Sequence, residues 1–169
     1  EYLKIWIDIL TPKQLLFSEP IIEKLSGKHN VLCTSREYNE VTKLAKIRHF
    51  DLIFVGKHGG GDKKSKLEAS IERIEKLSKK INEFEPDLVI SFGSPEAARI
   101  SFGLGIKHVM FCDSPWASAV MRLTLPLIQK LLIPHIISKK DFSKYGINEK
   151  NIIQYKAIDA CSSSTLIRI

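Results

Sequence analysis

Short β-branched runs alternate with amphipathic stretches along almost the whole chain, and that alternation admits few folds. Residues 3–10, 30–34, 51–55, 88–92, 107–112, 131–134 and 152–155 read as strands, being short, apolar and bounded by turn residues. Residues 12–26, 38–47, 67–84, 95–103 and 140–145 read as helices, with a further helix running from Trp116 towards Lys130. In 67–84 the residues Leu67, Ile71, Ile74, Leu77, Ile81 and Phe84 recur at threes and fours among Glu, Lys and Arg. Thr11-Pro12 and Ser94-Pro95-Glu96 each place an N-cap hydroxyl before a proline suited to the first helical position, and Asp113-Ser114-Pro115 repeats the pattern. Pro126 kinks or ends the helix it falls in, and Gly27 and Gly146 stand where helices close, Gly27 being suited to a left-handed C-terminal position. Strands that alternate with helices form a parallel sheet covered on both faces. The expected fold is α/β, a Rossmann-like doubly wound parallel sheet in three αβα layers. It occupies residues 1–156, and the Ser-rich 157–169 form a tail or the start of an interdomain linker.

At 169 residues and 44% hydrophobic, the chain can bury one core without disulfides or a structural metal. Cys33, Cys112 and Cys161 lie far apart with no zinc-like spacing, and no apolar run reaches the length of a membrane span. A soluble cytoplasmic protein is the expectation. The formal charge of +7 favours anionic partners. Lys63, Lys64 and Lys66 lack interleaved aromatics, which argues against nucleic acid and for a solvated surface.

In a doubly wound sheet the ligand crevice lies beyond the carboxyl ends of the strands, where their order reverses. Turns from distant parts of the sequence would meet there. They carry Asp8, Thr11 and Lys13, then Arg36, then Lys57, His58, Gly59 and Gly60, then Ser94 and Glu96, and finally Asp113, Ser114 and Trp116. Thr11, Ser94 and Ser114 either cap helices or stand at helix starts whose unpaired N–H groups bind an anion. His58, flanked by glycines, and Asp113, at a strand end, are the candidate catalytic bases. Asp113 is equally placed to hold loop amides, and His58 to sit in a flexible crossover. Trp116 and Arg122 are placed either to stack on a sugar or base and pair with phosphate, or to pack and form a surface ion pair.

Gly56 to Gly61 has the spacing of a P-loop but is followed by Asp62-Lys63, so that motif fails. Three consecutive glycines beside Lys57 and His58 can still bend around an anion through their amides. Gly103-Leu104-Gly105 precedes a strand and makes no dinucleotide fingerprint, so no nicotinamide or flavin cofactor is expected. The five histidines show no metal-ligand spacing, and no metal site is expected either.

The segments 4–13, 56–60, 91–99 and 113–115, with 154–159, resemble an uncharacterised prokaryotic family best represented in archaea. That family in turn resembles the GT-B superfamily, which includes glycosyltransferases and the non-hydrolysing UDP-N-acetylglucosamine 2-epimerases. The resemblance implies an amino-terminal Rossmann-like domain that faces a second domain across a cleft. In such glycosyltransferases this half mostly binds acceptor, and the second half holds most of the nucleotide-sugar. It also implies a module that binds a glycan, sugar-phosphate or nucleotide-sugar and is inactive alone. Set against the epimerases, Ser94 stands at the position of their acid after the fourth strand, Asp113 at that of their Glu after the fifth, and Arg122 at that of a helical Arg. Their further Glu would fall near Ser118 or Ala119, so one of their carboxylates is kept and epimerase chemistry is the weaker expectation. The alternative is a non-enzymatic binding module, or one that self-associates as a homodimer through residues 123–133, left partly exposed without a second domain.

Overall fold

The computed structural model describes residues 1–156, so the expected tail and Cys161 lie outside the described residues. Seven strands, β1 (Lys4–Asp8), β2 (Asn30–Glu37), β3 (Ile53–Lys57), β4 (Leu88–Ser91), β5 (Lys107–Phe111), β6 (Lys130–Pro134) and β7 (Ile152–Tyr155), form one sheet. Its order is β3-β2-β1-β4-β5-β6-β7, with every pair parallel. The chain runs outward from β1 to β3, returns to the centre for β4 and then runs outward the other way. The strand order therefore reverses between β1 and β4.

Successive side chains of a strand point to opposite faces, and β1 shows what that does to the core. Ile5 and Ile7 pack with Leu15, Ile22 and Ala45 from α1 (Pro12–Ser26) and α2 (Asn39–Ile47). Trp6, between them, packs on the other face with Leu77, Ile81, Ala97 and Ile100 from α3 (Lys63–Phe84) and α4 (Pro95–Leu104). A third cluster joins Met110, Leu131 and Ile133 to Met121 of α5 (Ser118–Thr124) and Phe142 of α6 (Lys140–Ser143). No helix among the described residues is long and apolar enough to cross a membrane.

Several boundaries differ from the sequence reading, each for a local reason. Helix α3 starts at Lys63 because Asp62 caps it, accepting from the Ser65 amide at 2.9 Å. Ser114 caps nothing: Pro115 and Trp116 lie in a turn, and α5 opens at Ser118 without a side-chain cap. Pro126 falls in a 3-10 turn, Leu125–Leu127, that directly follows α5. Gly27 closes α1 at φ −68°, a right-handed conformation, while Gly105 takes the left-handed one after α4. Over residues 123–133, where a self-association surface is expected, Leu125, Ile128, Leu131 and Ile133 are buried, while Leu123 and Pro126 are exposed and Leu127 and Leu132 partly so.

His108 on β5 is fully buried between two serines, with Ser91 Oγ 2.7 Å from Nε2 and Ser101 Oγ 2.8 Å from Nδ1. Burial pushes its pKa down from 6.5 to about 4. Between those values the unfolded chain binds a proton that the folded chain does not, so stability falls as pH falls through this window. The full loss is about 3 kcal/mol at 1.4 kcal/mol per pKa unit. Urea unfolding followed from pH 7 to pH 4.5 should show this slope, and His108→Asn should flatten it.

Candidate functional site

Beneath the point where the strand order reverses lies a closed polar network. Asp8, at the end of β1, is fully buried and takes both guanidinium ends of Arg73, at 2.6 and 3.1 Å. Thr34 and Ser94 donate hydroxyl hydrogen bonds to the same carboxylate, at 2.7 and 2.6 Å. Burial alone would raise the Asp8 carboxyl; the charge and hydrogen bonds of Arg73, with those of Ser94 and Thr34, outweigh it and hold it below its ordinary 3.8. Arg73 also donates Nε–H to the Val55 carbonyl at 2.9 Å and stands 3.6 Å from Glu96. Glu96, in the first turn of α4, accepts from Ser70 at 2.7 Å. Ser94 Oγ accepts the Ala97 amide at 3.1 Å, so one hydroxyl caps α4 and ties it to β1. Asp8, Ser94 and Glu96 thus form the frame under the site rather than its open surface.

Arg73 is the residue the sequence reading missed. It precedes Leu77 and Ile81 by four and eight, which places it on the buried face of α3. Gly56, at φ +74°, makes room for it: a Cβ there would stand 2.9 Å from the Arg73 Cβ.

Above the network opens a cleft of about 310 Å³ over the ends of β1, β4 and β5. Thr11, Lys13 and Gln14 line one side, Asp113, Ser114 and Ala117 the other. Phe17, Phe92 and Phe111 form its aromatic wall, with ring centroids 5.4 to 5.6 Å apart. Gln14 spans the reversal point, accepting from the Leu10 amide and donating to the Phe92 carbonyl, both at 2.8 Å. The Lys13 ammonium pairs with Asp113 across the opening, and Ser114 Oγ donates to Asp113 at 2.8 Å. Thr11 accepts from the Gln14 amide, capping α1 at the edge of the cleft.

The remaining candidates lie elsewhere along this edge of the sheet. His58 stacks on Tyr38 with centroids 5.0 Å apart, beyond β2 and β3, and does not line the cleft. Lys57 is exposed, and Gly59 packs so closely on the start of α3 that a Cβ would meet the Ser65 carbonyl oxygen at 2.6 Å. Gly60 takes φ +74° with open space beside it. Arg36, on β2, is partly buried, and its Nε has no hydrogen-bond partner. Trp116 is 77% exposed, and Arg122 lies over the Tyr145 ring at 6.0 Å. The structure separates the two candidate bases: Asp113 faces the cleft and His58 does not. Among the described residues no group of three or more His, Cys, Asp or Glu could hold a metal ion.

A seven-stranded parallel sheet between helices, with a crevice where the strand order reverses, is a Rossmann-like α/β fold, and solved UDP-N-acetylglucosamine 2-epimerases share it. Over residues 3–163 the chain matches the family described as protein of unknown function DUF354, and it belongs to that family. Uncharacterized protein MJ0665 of Methanocaldococcus jannaschii is 29% identical over 155 residues, which are 91% of this chain and 45% of that protein. A UDP-GlcNAc 2-epimerase from Neisseria meningitidis, solved bound to UDP-GlcNAc, superposes with a TM-score of 0.70 at 19% identity, covering 90% of this chain and 45% of the enzyme. A UDP-N-acetylglucosamine 2-epimerase from Rickettsia bellii gives 0.72 at 13% identity, covering 91% and 44%. The chain spans just under half the length of these proteins.

Proposed function

We propose that this chain is one half of a glycosyltransferase-like GT-B enzyme, that its cleft binds the glycan, sugar-phosphate or nucleotide-sugar, and that it is inactive alone. The observation that carries this reading is the meeting of Lys13 and Asp113 from opposite sides of an aromatic-walled cleft of about 310 Å³. That volume lies at the lower end of ligand pockets, about 300–1,000 Å³, and suits the sugar end of a ligand better than a whole nucleotide-sugar. A carboxylate accepts hydrogen bonds from sugar hydroxyls, and the phenyl rings offer a surface to the C–H face of a pyranose.

Asp113 is the proposed base, taking a proton from an acceptor hydroxyl as its oxygen bonds to the donor's anomeric carbon and the bond from that carbon to the leaving phosphate breaks, with Ser114 orienting the carboxylate. Lys13 and the start of α1 would stabilise phosphate charge. Covering the cleft with a second domain would exclude water and complete the site. The fold shared with an enzyme solved with UDP-GlcNAc supports a ligand of this class. Among the described residues one carboxylate, Asp113, lines the cleft, which favours transfer over chemistry that needs two acids.

The test is an amide NMR titration with N-acetylglucosamine, its 1-phosphate and UDP-N-acetylglucosamine. Saturable shifts at the Ser114 and Ala117 amides are expected from at least one of them. If all three leave both amides unmoved, the cleft is not a sugar site.

A further inference from the structure

Arg36 Nε is the one buried side-chain nitrogen or oxygen among the described residues without a hydrogen-bond partner. A guanidinium offers N–H donors only and always carries its charge, so what it lacks is an acceptor and a negative one. Buried polar groups are normally satisfied, which makes a lone unsatisfied one the mark of a missing partner. Glu96 and Asp8 are the carboxylates whose charge acts on Arg36, yet neither comes within ion-pair distance. Their oxygens go to Arg73, Ser70, Ser94 and Thr34. Burial, countered by Glu96 and reinforced by Arg73, leaves the Arg36 pKa below its ordinary value, the signature of a charge held without full compensation.

The surroundings are built from different segments. Tyr38 follows Arg36 by two residues, just past the end of β2, and its ring carries the His58 imidazole stacked at 30° between planes. Lys57, at the end of β3, is exposed. At Gly60 and Gly61 the space where a Cβ would stand is empty to 4 Å, so the loop beside His58 is open.

We propose that Arg36, Tyr38, His58 and Lys57 form an oxyanion-binding site at the carboxyl ends of β2 and β3, distinct from the Asp113 cleft, that takes a phosphate or carboxylate group. The Arg36 fork supplies directed donors, Lys57 adds charge at the rim, and the Tyr38–His58 stack gives a flat wall to the group that bears the anion. This site goes beyond the sugar cleft and stands on its own observation. If both sites serve one ligand, that ligand is acidic at the end remote from Asp113.

The experiment is an NMR titration of the full chain with inorganic phosphate, acetate and chloride at matched ionic strength, read at the Arg36 Nε–H and the His58 amide. Saturable shifts are expected with phosphate, acetate or both, and none with chloride. Phosphate alone identifies a phosphorylated ligand and acetate alone a carboxylated one. Arg36→Gln should weaken the response at His58 by about tenfold or more, the loss of a charge-assisted hydrogen-bonded pair. Asp113→Ala should leave it unchanged, so failure here and failure of the sugar cleft are separable. If neither phosphate nor acetate moves the wild-type Arg36 Nε–H, or all three ions move it alike, there is no such site; this reading needs no variant to fold.

Discussion

Arg73→Met should destabilise the fold by about 3–5 kcal/mol, read as a fall in the urea midpoint at neutral pH. The side chain is 1% exposed, and its loss leaves Asp8 ionised and unpaired in the core. It also removes the donor to the Val55 carbonyl and the cation nearest Glu96. The cost comes from that orphaned charge more than from the pair itself, since forming a buried ion pair costs much of what its attraction returns. The double variant Asp8→Leu/Arg73→Met should therefore recover a large part of the loss. A single variant that loses under about 1 kcal/mol would show that Asp8 is relieved by protonation or water, and the network would not be what ties α3 to β1. The pair's own acid sensitivity lies low on the pH scale. Asp8 is held below 3.8, so its contribution is full above that value and fades only as pH falls through the lowered pKa. Loss of stability at pH 5 thus belongs to His108.

Asp113→Ala should weaken binding of a neutral sugar by about tenfold to a hundredfold, the range for a hydrogen bond to a charged group at about 1.5–3 kcal/mol. Its thermal midpoint should hardly move, because the Lys13 pair is partly solvent-exposed, and such pairs contribute about 0–1 kcal/mol. Binding of a sugar 1-phosphate should fall less, since the same substitution frees the Lys13 ammonium for phosphate. Isothermal titration with the two ligands on wild type and variant separates these effects. Equal losses for both would mean that Lys13 does not meet the phosphate; no loss for either would remove Asp113 from the site.

Much of this site was legible in the sequence because helix starts and strand ends are local. Thr11-Pro12 and Ser94-Pro95 do cap helices, each hydroxyl accepting the amide three residues on. The same signature at Ser114-Pro115 opens no helix: the helix starts at Ser118, and the Pro115 carbonyl accepts instead from the Tyr145 hydroxyl at 3.2 Å. Asp8 illustrates the harder limit. Its place at a strand end is local information, but whether its carboxylate faces a ligand or a buried cation depends on Arg73, sixty-five residues away.

The sequence by itself determined the alternation of elements, and with it a parallel sheet between two helical layers, because periodicity and caps act over a few neighbouring residues. Only the tertiary structure decided which strand-end residues face solvent. It closed Asp8, Ser94 and Glu96 into the frame around Arg73, opened Lys13 and Asp113 onto a cleft, and left Arg36 without a partner. The physical reason is that a charged side chain's role follows from the charges and hydrogen-bond partners around it. Those are delivered by strand order and helix packing, across separations that no local pattern encodes.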